Sequence, residues 1–269
     1  MTERNAIFFL SDFGRRDEFV GVVHAVLHKM NPAITVIDLT HDVPAFSIDV
    51  GAGILERSVD YLGPGVVLAV VDPGVGTSRR PIAIEIATEH GPQFFVGPDN
   101  GLLVGAAERR GDIIAVFELT SSVEVGAVTF DGRDRFAPAA SYLAAGGDPR
   151  ERFPECDPST LVRLPVHLAD ASVLGQGASA TLIVTSIDAY GNCALDRPGV
   201  ALPDLGQVLQ VKTASAQSSA RVVTAFGDLL PGHLGMLVDS SGHVALVVNQ
   251  GSAEAHLGLQ RGESVHITG

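Results

Sequence analysis

The spacing of apolar residues changes repeatedly along the first part of the chain. Continuous apolar runs, NAIFFL, ITVIDL and GVVLAVV, predict buried strands. The segments between them, DEFVGVVHAVLHKM and SIDVGAGILERSVDYL, have the spacing of amphipathic helices, with Asp17 and Ser47 placed as N-caps. The order βαβαβ with nearly continuous apolar strands predicts a parallel sheet covered by helices on both faces.

The same region continues with shorter apolar segments. PIAIEIA and QFFVG predict a hairpin, NGLLVGAAERR a helix, IIAVFEL a strand and APAASYLAAG a helix. We therefore expect an α/β domain over residues 1–165, with a largely parallel sheet flanked by helices.

After residue 165 the pattern changes. A linker is expected over residues 166–177, and residues 178–269 contain short alternating segments divided by glycine turns, among them SATLIVTSID, SARVVTAF and HVALVVN. Helical spacing is almost absent there. The pattern predicts a small all-β domain, either a barrel or a sandwich.

Composition and charge disfavour some classes of protein. The chain of 269 residues carries 31 acidic and 18 basic side chains, a formal net charge of -13, which disfavours binding to nucleic acid. The apolar run before Ser11 is too short for a signal peptide or a membrane span. We therefore expect a cytoplasmic protein that does not associate with membranes.

Histidine and cysteine positions do not follow metal-binding patterns. Cys156 and Cys193 are far apart and belong to no CxxC motif. His24 and His28 have the i, i+4 spacing of a helical metal site, but no acid lies between them as in HExxH. Surface or packing roles are expected for both histidines.

Acidic residues follow three of the predicted strands. Asp12 follows the first strand, Asp72 the third, and Asp99 with Asn100 a later one. Ligands of open parallel sheets bind beyond the carboxyl ends of the strands, so these residues are candidates for a ligand site. Aspartate beside proline or glycine is also ordinary turn chemistry, and for Asp99 the two interpretations are equally supported.

The segment VVDPGVGTSRR suggests how one of these acids is held. Gly74 and Gly76 let the backbone fold back, so that Arg79 approaches Asp72 and keeps its carboxylate ionised and oriented. Such a carboxylate can accept a proton. A surface salt bridge of little energetic value explains the same pattern, and the pattern alone does not decide between the two.

Longer segments carry a family resemblance. FLSDFGRRDEFVGVVHAVL, VIDLTHDVPAF, VVDPGVGTSRRPIAIE, VGPDNGLL and TFDGRDRFAPAASYLAAG, followed by SIDAYGN, TAFGDL and LVVNQGSA, resemble the S-adenosylmethionine (SAM) hydroxide adenosyltransferase family, which is related to the fluorinase and chlorinase. The resemblance implies an N-terminal α/β domain and a C-terminal β-barrel. It also implies a homotrimer that binds SAM between one subunit's N-terminal domain and its neighbour's C-terminal domain.

The resemblance implies roles for individual residues. Asp12 corresponds to the acid that binds both ribose hydroxyls, and Asp17 and Asp188 to acids that bind the methionine ammonium. The implied rings around the nucleoside are Phe46, Tyr190 and Phe226, and the implied groups near the adenine are at Asn192, Asn249 and Gln250. Asn100 is the asparagine of the PDNG motif, and Ser240 lies in the implied carboxylate-binding turn. In that turn the arginine of the halogenases is absent, because the sequence reads VDSSG.

The implied reaction is displacement at the ribose C5′ carbon of SAM by water or hydroxide, which gives adenosine and methionine. A sulfonium is already a good leaving group, so the enzyme has to position the water and take its proton. Asp72 and Arg79 correspond to two members of the family's Asp-Arg-His triad. No metal or redox cofactor is implied.

The third member of the triad differs. Hydrolases of the family read TFHGRD, whereas this chain reads TFDGRD and has Asp131 at the histidine position. An imidazole titrates near neutral pH, whereas an aspartate is normally ionised and only accepts hydrogen bonds. Two acids around one arginine either share its charge or raise the pKa of one of them. We expect Asp131 to be a catalytic residue that helps orient the water.

Three other functions stay open at this point. A SAM-dependent halogenase has the same fold and substrate, but carboxylates at positions 72 and 131 repel a halide. A metal-dependent phosphohydrolase would use Asp12, Asp72 and Asp99 as ligands, although no glycine-rich phosphate loop opens a helix. A non-catalytic nucleoside binder would result if the altered triad did not support turnover.

Overall fold

A computed structural model of the chain describes residues 6–119, 129–165, 179–198 and 202–269, without the side chains of residues 197 and 198. The chain forms two compact units, Met1–Pro165 and Val166–Gly269. The linker expected over residues 166–177 lies outside the described residues. Within the described ranges, no helix combines the length and apolar character that crossing a bilayer requires.

In the first unit, strands and helices alternate along most of the chain. The elements are β1 (Ala6–Ser11), α1 (Phe19–Met30), β2 (Thr35–Thr40), α2 (Ile48–Ser58), β3 (Val66–Val70), β4 (Pro81–Ile86), β5 (Gln93–Pro98), α3 (Val104–Arg110), β6 (Ile113–Glu118), α4 (Ala137–Ala144) and β7 (Glu155–Cys156). A π-helical segment of five residues, Gly132–Phe136, leads directly into α4.

These strands form one sheet in the order β2-β1-β3-β5-β4-β6-β7. β1 is parallel to β2 and β3, and β3 is parallel to β5. β4 is antiparallel to β5 and β6, and β6 is antiparallel to β7. The β4–β5 hairpin is confirmed, but the sheet is mixed rather than largely parallel. The connection between β4 and β5 is too short for a crossover helix, so the chain direction reverses there.

Both faces of the sheet are covered by helices. Along β1, Ile7 and Phe9 belong to the core that includes α1 and α4 side chains, whereas Phe8 and Leu10 belong to the core that includes α2 and α3 side chains. All four side chains are nearly or fully buried. Burial on both faces explains why the strands appear in the sequence as continuous apolar runs.

The start of α1 differs from the prediction. Glu18, not Asp17, holds the N-cap position, and no side chain makes a capping hydrogen bond there. Glu18 already has helical backbone angles, φ -74° and ψ -8°, so the preceding residue lies outside the cap position. Asp17 is an exposed residue of the loop between β1 and α1. Ser47 is the N-cap residue of α2, but its side chain also makes no capping bond.

The second unit contains a closed barrel. Its elements are β8 (Ser179–Ile187), β9 (Cys193–Pro198), β10 (Val208–Lys212), β11 (Gln217–Val222), β12 (Leu234–Val238), β13 (His243–Val248), α5 (Ala253–Leu257) and β14 (Ser264–Thr268). The strand order is β10-β11-β12-β13-β9-β8-β14, and β14 pairs with β10 to close it. The neighbouring pairs are antiparallel, except that β11 and β12 are parallel.

The side-chain alternation of the strands produces the barrel core. In β10, Leu209 and Val211 are buried, whereas the residues on either side of each are exposed. The predicted all-β unit is therefore a barrel and not a sandwich. The short helix α5 was not predicted from the pattern. Its N-cap is Ser252, whose Oγ accepts a hydrogen bond from Ala255 N over 3.0 Å.

Candidate active site

The loops that follow β1 and β3 lie side by side at the carboxyl edge of the parallel strands. Ser11 is in register with Val70, and Asp12 N donates a hydrogen bond to Val70 O over 3.3 Å. β2 and β3 lie on opposite sides of β1, so the strand order reverses direction at this point. Open α/β sheets bind ligands at such a reversal, and the fold itself therefore selects this edge.

A cavity of about 280 Å³ opens at this edge of the sheet. It is lined by Asp12, Phe13, Phe19, Ala45, Phe46, Val70, Asp72, Val75, Thr129, Phe130, Asp131 and Gly132. The lining combines three carboxylates with four phenylalanine rings. Such a cavity suits a ligand that is cationic and also has a flat apolar part.

Three of the rings were missed in the sequence. Phe13, Phe19 and Phe130 form one cluster, with centroid separations of 6.0 Å, 5.7 Å and 5.2 Å. The latter two contacts, which both involve Phe130, are edge-to-face. Phe13 and Phe19 lie close together after β1, whereas Phe130 lies far along the chain before the π-helical segment, so no local spacing in the sequence indicates that all three meet.

Asp72, Arg79 and Asp131 form a buried ion-pair cluster. Arg79 Nε donates to Asp72 Oδ1 over 3.0 Å, and Arg79 Nη2 donates both to Asp72 Oδ2 and, over 2.6 Å, to Asp131 Oδ2. The three side chains are only 6% to 8% exposed. The loop therefore brings Arg79 to Asp72 as predicted, with Gly76 at φ 77°, and the pair is not a surface salt bridge.

A second guanidinium group lies beside Asp131. Arg135 Nε is 3.1 Å from Asp131 Oδ1, four residues further along the π-helical segment. Arg135 was not predicted, although the i, i+4 spacing of an acid and an arginine is a known signal for such a pair. Two guanidinium groups thus face two carboxylates, which balances the charge of the cluster.

The environment of Asp72 changes its acidity. Burial raises the pKa of Asp72 above its ordinary value, and the nearby charge of Asp131 raises it further, whereas the Arg79 guanidinium opposes both effects. A carboxylate with a raised pKa holds a proton more strongly, which makes it a better general base. Asp72 is therefore the carboxylate of this cluster that is suited to accept a proton.

Asp12 holds the loop between β2 and α2, which lies on another side of the cavity. Its Oδ2 accepts a hydrogen bond from Phe46 N over 2.9 Å. Phe46 has φ 66°, in the left-handed region that bulky residues rarely adopt, and the residue is 72% exposed. The hydrogen bond that Phe46 N donates to Asp12 thus holds a strained backbone that presents an aromatic ring at the cavity.

Asp99 and Asn100 support the fold and do not line the cavity. Asp99 accepts hydrogen bonds from Arg80 Nε and from Val162 N, each over 2.9 Å. Asn100 Nδ2 donates to Val71 O over 2.9 Å. For Asp99 the structural interpretation is supported, and the substrate contact expected for Asn100 stays a prediction.

Three candidates of the second unit share one turn between β8 and β9. Asp188 Oδ1 accepts hydrogen bonds from Tyr190 N and Asn192 N, each over 2.9 Å, and Asp188 Oδ2 accepts one from Asn192 Nδ2 over 2.8 Å. Tyr190 is 80% exposed. The turn therefore holds an acid and an amide together and presents an aromatic ring to solvent.

The remaining candidates lie at other turns of the barrel. Phe226 is partly exposed, and Ser240 is exposed in the turn between β12 and β13. Asn249 Nδ2 donates to Leu229 O over 2.7 Å, and Gln250 has φ 56°. Their roles in substrate binding, and those of Asp17 and of the β8–β9 turn, stay predictions.

Known proteins match the chain over nearly its whole length. Residues 7–152 match the SAM hydroxide adenosyltransferase N-terminal domain, and residues 182–266 match the C-terminal domain. An (R)-S-adenosyl-L-methionine hydrolase from Salinispora tropica is 44% identical over 265 residues, which is 97% of this chain and 97% of the relative. A fluorinase from Actinopolyspora mzabensis is 25% identical over 297 residues, which is 98% of this chain and 97% of the relative.

Solved structures have the same fold. The crystal structure of an uncharacterized conserved protein from Thermotoga maritima has a TM-score of 0.86 and 31% sequence identity, and the match covers 98% of this chain and 100% of that chain. Both domain matches include the elements that carry the candidate residues. With an acid-rich cavity at the sheet edge, a barrel as second unit and relatives that match from end to end, the chain belongs to the SAM hydroxide adenosyltransferase family.

Proposed function

We propose that the protein hydrolyses S-adenosyl-L-methionine to adenosine and L-methionine. The observation that carries the proposal is the buried cluster of Asp72, Arg79 and Asp131 in the wall of a cavity that also contains Asp12 and several phenylalanine rings. The name of the Salinispora tropica relative supports the same substrate and reaction. SAM is a cation with a flat nucleoside, which matches the chemistry of the lining.

Asp12 and Phe46 bind the nucleoside in this proposal. Asp12 contacts the ribose hydroxyls, and its carboxylate is already oriented by the bond from Phe46 N. The ring of Phe46 packs against the nucleoside. Asp17 lies on the exposed loop before α1 and is available for the methionine ammonium.

Asp72 acts as the general base. A water oxygen attacks the C5′ carbon while the bond from C5′ to sulfur breaks, and the electron pair of that bond goes to sulfur, which leaves as the neutral thioether of methionine. The proton of the water passes to Asp72, whose raised pKa suits this role. Because the sulfonium is a good leaving group, no metal or redox cofactor has to assist its departure.

Asp131 and Arg135 position this base. Asp131 binds the same Arg79 Nη2 that binds Asp72, so Asp131 fixes the direction of the Asp72 carboxylate through Arg79. Arg135 supplies a further positive charge beside Asp131. An acid at the position of the family's histidine is thus compensated by a guanidinium group, and the triad keeps a balanced charge.

The alternative reactions are less well supported. Three carboxylates in the cavity lining disfavour a halide nucleophile. A phosphohydrolase site built on Asp12, Asp72 and Asp99 lacks its third ligand, because Asp99 is bound to Arg80 and Val162 outside the lining. Retention of the acid and arginine cluster disfavours a purely non-catalytic binder.

We also propose that residues 178–269 supply the adenine and methionine subsite in a homotrimer, with SAM bound between the N-terminal domain of one subunit and the C-terminal domain of its neighbour. Support comes from Phe46 and Tyr190, which are 72% and 80% exposed and correspond to nucleoside contacts of the family. A neighbouring subunit and the substrate would cover them. The mechanism requires no nucleic acid or membrane, and the cytoplasmic location stays a prediction.

The proposal is tested by incubating the purified protein with SAM in water enriched in oxygen-18, with and without chloride and a chelator. Liquid chromatography and mass spectrometry identify the products. We expect methionine and adenosine, with oxygen-18 in the 5′-hydroxyl group, unaffected by either addition. Formation of 5′-chloro-5′-deoxyadenosine would favour the halogenase, and binding of SAM without any product would contradict the hydrolase.

A further inference from the structure

A second cluster of polar side chains lies outside the cavity lining. His24 on α1, Asp38 on β2 and His41 just after β2 each place one possible ligand atom within 4.8 Å of the others. His24 Nε2 is 2.9 Å from Asp38 Oδ1, and His41 Nε2 is 3.1 Å from the same oxygen. The proposed hydrolysis uses none of these three residues.

The hydroxyl of Ser11 and the carboxylate of Asp38 lie beside different ring nitrogens of His41. Ser11 Oγ accepts a hydrogen bond from Phe13 N over 3.3 Å and lies 2.8 Å from His41 Nδ1. A hydroxyl oxygen has two acceptor lone pairs, so Ser11 Oγ can accept a hydrogen bond from Nδ1 as well as from Phe13 N, and in that tautomer Nε2 carries the lone pair that a metal ion requires. Histidines that bind metals commonly make such a bond through the other ring nitrogen.

In that tautomer, the lone pair of His41 faces an oxygen anion. His41 is 1% exposed, and its Nε2 has no aligned hydrogen bond among the described residues, although Asp38 Oδ1 is near. A lone pair and a carboxylate oxygen at this distance repel each other unless a cation lies between them. That cation is either a proton or a metal ion.

The dimensions of the cluster agree with a metal site. With bonds of about 2.0–2.1 Å, neighbouring ligands of tetrahedral Zn²⁺ lie about 3.3 Å apart, close to the two observed separations. The ring of Phe9 packs beside both histidines, at centroid distances of 6.0 Å and 4.6 Å. His24 and Asp38 are 35% and 34% exposed on their side chains, so water can reach a fourth position.

We propose that His24, Asp38 and His41 bind a divalent transition-metal ion of the Zn²⁺ type, with water as the remaining ligand. The ion joins α1 to the end of β2. Its ligand His41 also contacts Ser11, the residue directly before Asp12. The role of the ion is to stabilise this part of the fold. The proposed partners of His24 are therefore Asp38 and His41, and not His28.

The test uses the full-length protein, first treated with a chelator that is then removed. ZnCl₂ is titrated in competition with a chromophoric indicator, and CoCl₂ binding is followed by visible absorption. The variant His24→Ala removes a half-exposed ligand, and His28→Ala is the matched control on the exposed side of the same helix. Ser11→Ala removes the hydroxyl beside His41 Nδ1, which also accepts a hydrogen bond from Phe13 N, and leaves the three proposed ligands in place.

We expect the wild type and His28→Ala to bind one Zn²⁺ per chain with the same affinity and to gain thermal stability from it. His24→Ala should bind at least about tenfold more weakly and lose the stabilisation, and Ser11→Ala should bind about tenfold more weakly. Equal binding by His24→Ala and wild type would overturn the proposal, as would absence of stoichiometric binding by the wild type. If Cys156→Ser lost Zn²⁺ binding while His24→Ala kept it, the ion would bind at a different site and the proposal would be overturned. None of these readouts depends on turnover of SAM, so their failure would leave the proposed hydrolysis unaffected.

Discussion

Replacement of Asp131 by asparagine isolates the charge that this chain has at the family's histidine position. Asparagine keeps the size of the side chain but removes the negative charge that meets Arg79 Nη2 at 2.6 Å and Arg135 Nε at 3.1 Å. Each of these contacts becomes a contact between an arginine and a neutral oxygen. Arg79 then has Asp72 as its sole charged partner within the cluster.

The expected magnitude follows from the two contacts. The Arg79 contact is a charge-assisted hydrogen bond, which contributes roughly 1.5–3 kcal/mol against about 1 kcal/mol for a neutral one, so its change costs about 1 kcal/mol. The Arg135 contact is an ion pair whose Nε makes no aligned hydrogen bond among the described residues, and such a partly exposed pair contributes up to about 1 kcal/mol. The two contacts together therefore cost up to about 2 kcal/mol, which corresponds to about 30-fold in kcat/KM if the whole loss is felt in the transition state. Arg135 is 28% exposed, and solvent weakens its share, so we expect a decrease of about 10- to 30-fold.

The same substitution changes the pH dependence. The charge of Asp131 raises the pKa of Asp72, so its removal lowers that pKa. The base has to be deprotonated to act, and activity is lost as the pH falls through its pKa. The acid limb of kcat/KM against pH should therefore move to lower pH in Asp131→Asn.

The measurement is the rate of adenosine release across a pH series, with circular dichroism and thermal unfolding as checks of the fold. Asp134→Asn is the matched control, because Asp134 lies in the same π-helical segment but pairs with Arg133. The control should stay within about twofold of wild type. Full turnover in Asp131→Asn with an unshifted acid limb would refute the role assigned to the cluster.

Substitutions at three further positions test other parts of the structure. Asp72→Asn should lower kcat by about 10²- to 10⁴-fold in the adenosine assay. Because the pKa of Asp72 is raised in the folded protein, wild-type stability falls as the pH rises through that pKa, and the variant should lose this part of the pH dependence of unfolding. Phe46→Gly should raise both the KM for SAM and the melting temperature, because glycine adopts φ 66° without a strain of about 1 kcal/mol, whereas Phe46→Ala should raise the KM alone. Gly97→Ala places a Cβ 2.2 Å from Ala69 O, between β5 and β3, and should cost about 3 kcal/mol in urea unfolding; unchanged stability would contradict this packing.

Most helices and strands of the first unit were predictable from the sequence, because buried strands and amphipathic helices have different periodicities. The predicted hairpin fixes the direction of β4 relative to β5, but the positions of β4 between β5 and β6, and of β7 at the edge, were not predictable, since parallel and antiparallel strands with both faces buried give the same apolar pattern. Direction is decided by the connections, and the segment between β4 and β5 is too short for a crossover. The helix α5 was missed because its five residues are too few to show a helical period.

For the site, local signals were predictive and contacts between separate segments were not. The approach of Arg79 to Asp72 depends on one short loop with glycines at its bend, and both features are visible in the sequence. The i, i+4 spacing of Asp131 and Arg135 is a further local signal, which was not used in the prediction. His24 meets Asp38 only after α1 has packed on the sheet, so no spacing along the chain indicates it.

In the π-helical segment Gly132–Phe136, the number of residues is as important for the position of Asp131 as their identity. An α-helix turns about 100° per residue, so deletion of one residue here would restore a regular helix and keep the buried face of α4 in place. Asp131 would then point about 100° away from Arg79 with every neighbouring side chain unchanged. An enzyme designed by transferring this segment to another scaffold therefore has to preserve the length of the segment. A comparison of two such sequences that considers substitutions but not deletions would not detect the loss of the site.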